Sequence, residues 1–192
     1  MKSLLTIAST AFLAFAGSSS AQLSNVSGGF LLGGGYLKDP GQAYGFGQLR
    51  GTFYEDDSFS HTVFLEVLGY VDDADVIFNN GFGGTFSQDG DITFVNVTLN
   101  YELEAKLFGP ISVYGGGGVG AEFVNVDSGF ISLDSDANFI GQFALGLRAD
   151  FGNGISGQAG VRYLIRDDFE LLNDQFITED TWAYEIGLSF SW

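Results

Sequence analysis

Positions 181–192 restrict what this chain can fold into more than any other stretch. Trp182, Tyr184, Ile186, Leu188, Phe190 and Trp192 alternate with Thr181, Ala183, Glu185, Gly187, Ser189 and Ser191. Alternation this strict belongs to a strand with two unlike faces. What remains to be decided is which solvent each face meets.

The same period recurs along the chain. Strands are predicted over 28–37, 44–54, 59–71, 92–107, 111–123, 139–151, 155–165 and 181–192. In the first, Phe30, Leu32, Gly34 and Tyr36 are in phase, but Leu31 and Leu37 make its other face apolar too, so its orientation stays open. The fourth is clearer, with Val95, Val97, Leu99, Tyr101 and Leu103 against Asn96, Asn100, Glu102, Glu104 and Lys106. Short turns at 55–58, 108–110 and 152–154 alternate with longer connections at 38–43, 72–91, 124–138 and 166–180. Gly152-Asn153-Gly154 has hairpin chemistry. Eight strands in a meander, short turns at one end and long loops at the other, predict an all-β fold: an eight-stranded antiparallel up-and-down transmembrane β-barrel.

Composition narrows the classes. The formal net charge of −17 argues against nucleic acid, whose phosphates need cations. With no cysteine there is no disulfide, thiol catalysis or cysteine-held zinc. Residues 1–21 read as a secretory signal, with Lys2, an apolar run over 4–16, and Ser19-Ser20-Ala21 before the cleavage point. The run is too short to span a bilayer, which takes about 20 apolar residues. The expected organisation is therefore a signal peptide over 1–21, cleaved after Ala21, and a barrel domain over 22–192.

Two arguments orient the faces. An eight-stranded barrel is only wide enough to be filled by side chains, so Trp182, Tyr184, Phe190, Trp192, Tyr101 and Phe143 belong outside. The small residues, among them Gly116, Gly118, Gly120, Ala144, Gly146, Gly160, Ala183 and Gly187, belong inside. Charge agrees. Arg50, Glu66, Glu102, Glu104, Lys106, Glu122, Arg148, Asp150, Arg162 and Glu185 all fall on the small-residue face. A charge facing lipid costs about 2–4 kcal/mol at the midplane for Arg or Lys, so the large face is expected to meet a bilayer. In the lumen, charges should pair. The expected network is Arg50, Glu66, Glu102, Arg148, Arg162 and Glu185. Arg162–Glu185 is its favoured pair, on neighbouring strands at similar depth.

Other motifs weigh less. Gly115 to Gly120 matches a dinucleotide fingerprint in spacing, but strand-like sequence follows where a helix is required. His61, the one histidine, lies on the outward face beside inward Ser60 and Thr62 and reads as an interfacial residue rather than a base. The long loops carry many carboxylates without an EF-hand spacing, and they read as a solvated, self-repelling surface. They also carry Phe78, Phe82, Phe86, Phe130, Phe169 and Phe176, apolar groups on acidic loops that suit a binding surface.

Glu185-x-Gly187-x-x-Phe190-x-Trp192 resembles the β-signal of outer-membrane barrels. The segments 114–120, 142–148 and 160–163 resemble strands of the small OmpA/OmpX-like outer membrane β-barrel family. The resemblance implies outer-membrane localisation in a Gram-negative type of envelope. It also implies recognition of Glu185, Gly187, Phe190 and Trp192 by the barrel assembly machinery. Expected partners are outer-membrane lipid and an extracellular ligand at the acidic loops. The expected role is structural or surface-interactive and adhesin-like, with no catalytic, cofactor-binding or metal-binding residue. A narrow diffusion pore is the alternative, and a lipid-modifying outer-membrane enzyme a further one.

Overall fold

The computed structural model describes residues 27–79, 85–127, 132–134, 137–167, 169–171, 174–176 and 179–192. The signal expected at 1–21, and its cleavage after Ala21, lie outside them, as do Phe82 and Phe130. Eight long strands form the wall: β1 (Ser27–Leu37), β2 (Ala43–Glu55), β3 (Phe59–Asn79), β4 (Thr85–Phe108), β5 (Ile111–Asp127), β7 (Asn138–Gly152), β8 (Ile155–Arg166) and β11 (Thr181–Ser191). Three short strands, β6 (Ser132–Asp134), β9 (Phe169–Leu171) and β10 (Asp174–Phe176), stand in the long connections. Every wall strand pairs antiparallel with its chain neighbours, and β1 with β11 closes the ring.

The stagger of that ring sets its shape. Ser27, Thr52, Thr62, Glu102, Gly116, Ala144, Arg162 and Ala183 are successive register partners, and Ala183 pairs with Leu37, ten residues beyond Ser27 on the same strand. With strands about 4.8 Å apart and a rise of about 3.3 Å per residue, this shear tilts the strands by roughly 40°. All eight of these residues face inward.

Turns follow from local chemistry. Asp56 closes the β2–β3 turn by accepting the Ser58 and Phe59 N–H groups, each at 2.7 Å. Those N–H donors, the Ser58 one first, hold its carboxyl below the ordinary range. In the β7–β8 hairpin, Gly152, Asn153 and Gly154 all have positive φ, the conformation that Gly-Asn-Gly favours.

Two expectations need correction. The connection at 72–91 is largely a two-stranded ribbon, with β3 and β4 paired as far as Asn79 and Thr85. Its Asp, Asn and Gly content reads as loop, but pairing is a property of the two strands together, which the composition of either does not show. Likewise β5 runs to Asp127 and pairs there with β6, inside the connection expected at 124–138.

The second correction concerns size. The inward face is not uniformly small: Tyr44, Phe46, Phe64, Tyr70, Phe94 and Tyr114 are buried inside the barrel with Leu31, Leu37 and Leu68. Glycines on neighbouring strands make room for Phe46, Tyr44 and Tyr114. A Cβ on Gly33 would fall against the Phe46 ring and one on Gly35 against the Tyr44 ring, while Gly146 and Gly160 clear the Tyr114 hydroxyl. These rings also settle the orientation of β1, whose Leu31 and Leu37 are inward and fully buried. Gly146→Val is expected to destabilise the barrel by about 1–3 kcal/mol through overpacking, read as a lower urea midpoint in detergent micelles.

Candidate functional site

The lumen is built in layers, each from side chains that the strands' period of two turns inward. Nearest the short turns, Glu102 of β4 receives both Arg50 of β2 and Arg148 of β7, the latter at 3.0 Å. Arg148 also pairs with Glu104 and donates to Gln158 at 2.8 Å. The guanidinium groups rest over rings, Arg50 at 4.9 Å from Phe64 and Arg148 at 5.0 Å from Tyr114.

The middle layer centres on Arg162 of β8, 2% exposed. Its Nη2 lies 2.8 Å from Glu66 Oε2 and 2.7 Å from Glu185 Oε2, and its Nη1 reaches Glu66 Oε1 as well as Gln142 Oε1 at 2.8 Å. Gln48 and Gln142 donate to Glu66 at 2.7 and 2.8 Å. Tyr44 and Tyr114 each donate to Glu185 at 3.3 Å. A buried ion is tolerated only with this degree of satisfaction.

Toward the long loops, Arg166 pairs with Glu122 at 2.9 Å and lies 4.9 Å from the Phe94 ring, which stacks on Tyr70 at 4.6 Å. Around them sits an apolar plug that includes Leu37, Leu68, Val124, Ile140 and Leu164. Between the two lower layers the free volume is about 10 Å³, room for about one water. Below them a vestibule of about 380 Å³, lined by hydroxyls such as Thr52, Thr62, Ser112 and Ser189, opens at the short-turn end.

The structure thus brings the six expected charges into two clusters, Arg50–Glu102–Arg148 and Glu66–Arg162–Glu185. The aromatic layers and the Arg166–Glu122 pair escaped the sequence reading. Arg166 opened the connection expected at 166–180, whereas the strand runs on to include it. Tyr44 and Phe46 lie in a glycine-rich strand whose aromatics suited either face.

Outside, as far as Val71 on β3, Thr93 on β4 and Asn125 on β5, the wall strands' described outward positions carry no Asp, Glu, Lys or Arg. Aromatics flank this band, Tyr163 packing on Trp182 at 4.9 Å toward the long loops and Phe30 on Phe190 at 5.0 Å toward the short turns. His61 faces outward with Nδ1 2.6 Å from the Tyr101 hydroxyl, its ring among Phe53, Tyr54 and Tyr101. Gly115 to Gly120 lies within continuous β5, without the helix a dinucleotide site requires. At the seam, Trp192 and Gly28 exchange backbone hydrogen bonds of 3.0 and 3.3 Å. There Glu185 and Gly187 face inward, and Phe190 and Trp192 outward.

No family model matches the chain, and no curated protein does. Among solved structures it is similar to Neisserial surface protein A, with 11% identity, a TM-score of 0.55, and 86% of this chain and 94% of that one covered. It is also similar to the N-terminal β-barrel domain of Pseudomonas aeruginosa OprF, with 13% identity, a TM-score of 0.52, and coverage of 86% and 97%. A third is Ail, the attachment invasion locus protein of Yersinia pestis, crystallised with the heparin analogue sucrose octasulfate: 14% identity, TM-score 0.51, coverage 87% and 98%. These neighbours are small eight-stranded outer-membrane barrels, and the likeness is one of fold.

Arg162→Met leaves Glu66 and Glu185 buried without their cation. It is expected to cost about 3–5 kcal/mol. The triple change Arg162→Met, Glu66→Gln and Glu185→Gln should cost clearly less, in the same urea titration.

Proposed function

We propose that this chain, which has the fold of the small OmpA/OmpX-like outer-membrane β-barrels, is a structural and surface-interacting barrel of the outer membrane, not an enzyme. Its signal peptide is removed after Ala21, the termini and short turns face the periplasm, and the acidic long-loop end faces outward. The observation that carries this reading is the filled lumen. Arg162 is held between Glu66 and Glu185, with the apolar plug above and the Arg50–Glu102–Arg148 cluster below. A barrel filled in this way serves as a rigid support for what its rim presents. His61, engaged by Tyr101 on the outer face, supports a non-catalytic role.

The rim is acidic, so its partner is expected to be cationic or neutral rather than a sulfated glycan of the kind seen with Ail. The vestibule favours a second reading, a narrow pore whose lower entrance is open and lined by polar groups. Planar-bilayer recordings separate the two. The purified barrel should give no stepwise conductance, whereas stable single-channel steps that change with Glu185→Gln would establish the pore. The final strand is the segment that the assembly machinery engages. Deleting Trp192 is expected to lower the folded outer-membrane fraction severalfold in a heat-shift gel, and an unchanged yield would remove that role.

A further inference from the structure

We infer that the ribbon of β3 and β4 above the wall is a docking edge for an extended cationic peptide that alternates basic and apolar residues; this deepens the surface-interacting reading above and rests on it. An open strand edge, an acidic face and an apolar face meet there. β2 accompanies β3 only as far as the Tyr44–Tyr70 pair, whereas β3 continues to Asn79. The connection between β1 and β2 is too short to follow it. Gln42, at the end of that connection, donates to Asp72 Oδ1 at 3.0 Å, at the foot of the ribbon. Above that point no described strand pairs with this edge of β3. The backbone groups over 73–79, about 23 Å of strand at about 3.3 Å per residue, offer a template for one more strand.

Register gives the two faces of the ribbon unlike chemistry. Asp73 and Asp75 share the face that continues the outside of the wall beyond Val71, directly opposite Asp91 and Asp89 of β4. Asp91 in turn stands opposite Asp127 of β5. Like charges paired across strands are unfavourable, so a row of cations along this face relieves a repulsion already built into it. Ala74, Val76 and Phe78 alternate with the aspartates, on the face that continues the lumen, together with Phe86 and Ile92 of β4. Ile92 packs against the apolar plug.

These placements select the partner. A two-stranded ribbon alone is marginal in water, and a third strand beside β3 completes it. Because a strand has a period of two, one that matches both faces alternates basic residues with apolar ones. A second copy of the ribbon does not qualify, since it would bring more carboxylates to the acidic face. A sulfated or phosphorylated chain is repelled by the same charges.

The test is fluorescence anisotropy of labelled octapeptides with the full barrel in nanodiscs of neutral phosphatidylcholine, with empty nanodiscs as the blank. A peptide alternating lysine and valine should bind the barrel discs and not the empty ones. The same residues arranged in two blocks, or glutamate in place of lysine, should bind at least tenfold more weakly. N-methylation of every lysine, or of every valine, separates strand pairing from charge, because only one of these sets turns its N–H groups toward β3. One methylated peptide should lose binding and the other keep it. Asp73→Asn with Asp75→Asn should weaken the alternating peptide at least tenfold. Glu179→Gln with Asp167→Asn, a matched loss of charge elsewhere on the rim, should change its affinity less than twofold. A heat-shift gel of the outer-membrane fraction, run for each variant, reports the membrane reading separately. Failure of that reading is thereby distinguishable from failure of the docking edge. No binding, equal binding of the block peptide, the same response from both methylated peptides, or indifference to the Asp73 and Asp75 changes would each overturn the proposal.

Discussion

A peptide group facing hydrocarbon has no water to bond to, and each unpaired one costs several kcal/mol. Closure of the hydrogen-bonded ring is therefore the constraint on which the rest of this molecule depends. The seam between β1 and β11 meets it with small groups inside, Gly29 against Ser191 and Gly33 against Gly187. Large ones lie outside, Phe30 against Phe190 and Tyr36 against Tyr184. Cβ atoms at Gly29, Gly33 and Gly35 would press on carbonyl oxygens of β11. Close backbone approach and outward aromatic contact thus hold the two ends of the wall together.

Once the ring is closed with a shear of ten residues, its interior must be filled by what the strands turn inward. The filling is part ionic and part aromatic. Replacing buried ion pairs by apolar groups often leaves stability unchanged or raised, so stability alone does not account for Arg162, Glu66 and Glu185. Register does. A one-residue slip of any strand exchanges its faces. For β3, β8 or β11 it would turn one of these charges toward hydrocarbon. The charges penalise every inverted register, and the apolar outward face rewards the correct one.

Two solvents explain the distribution of sequence along the chain's ends. The long-loop side continues past the wall as the β3–β4 ribbon and carries most of the acidic residues, since a charge facing hydrocarbon is costly. The short-turn side keeps tight turns fixed by Asp56 and by Gly152-Asn153-Gly154, with the hydroxyl-lined vestibule between them. Between these ends lies the apolar band, in which Gly45, Gly47 and Gly51 of β2 and Gly157 and Ala159 of β8 leave the wall low between large outward side chains.

The strand count, the meander and the outward face were legible because lipid tolerates no charge and a strand has a period of two. Those two facts can be read along 181–192 without coordinates. The depth match of Glu66, Arg162 and Glu185 was legible too, from counting residues back to the short turns. The inward aromatics were not. Whether Tyr44 or Phe46 fits inside depends on which glycine of the neighbouring strand lies in register with it, and that follows from a pairing which local sequence does not encode. The continuation of β3 and β4 beyond the wall was hidden for a related reason: pairing there is a property of two strands together. The sequence by itself determined which face of each strand meets lipid, since that depends only on alternation. Only the tertiary structure decided how the lumen is shared among Arg162's ion cluster, the aromatic rings and the glycines that admit them, since that depends on stagger around a closed ring.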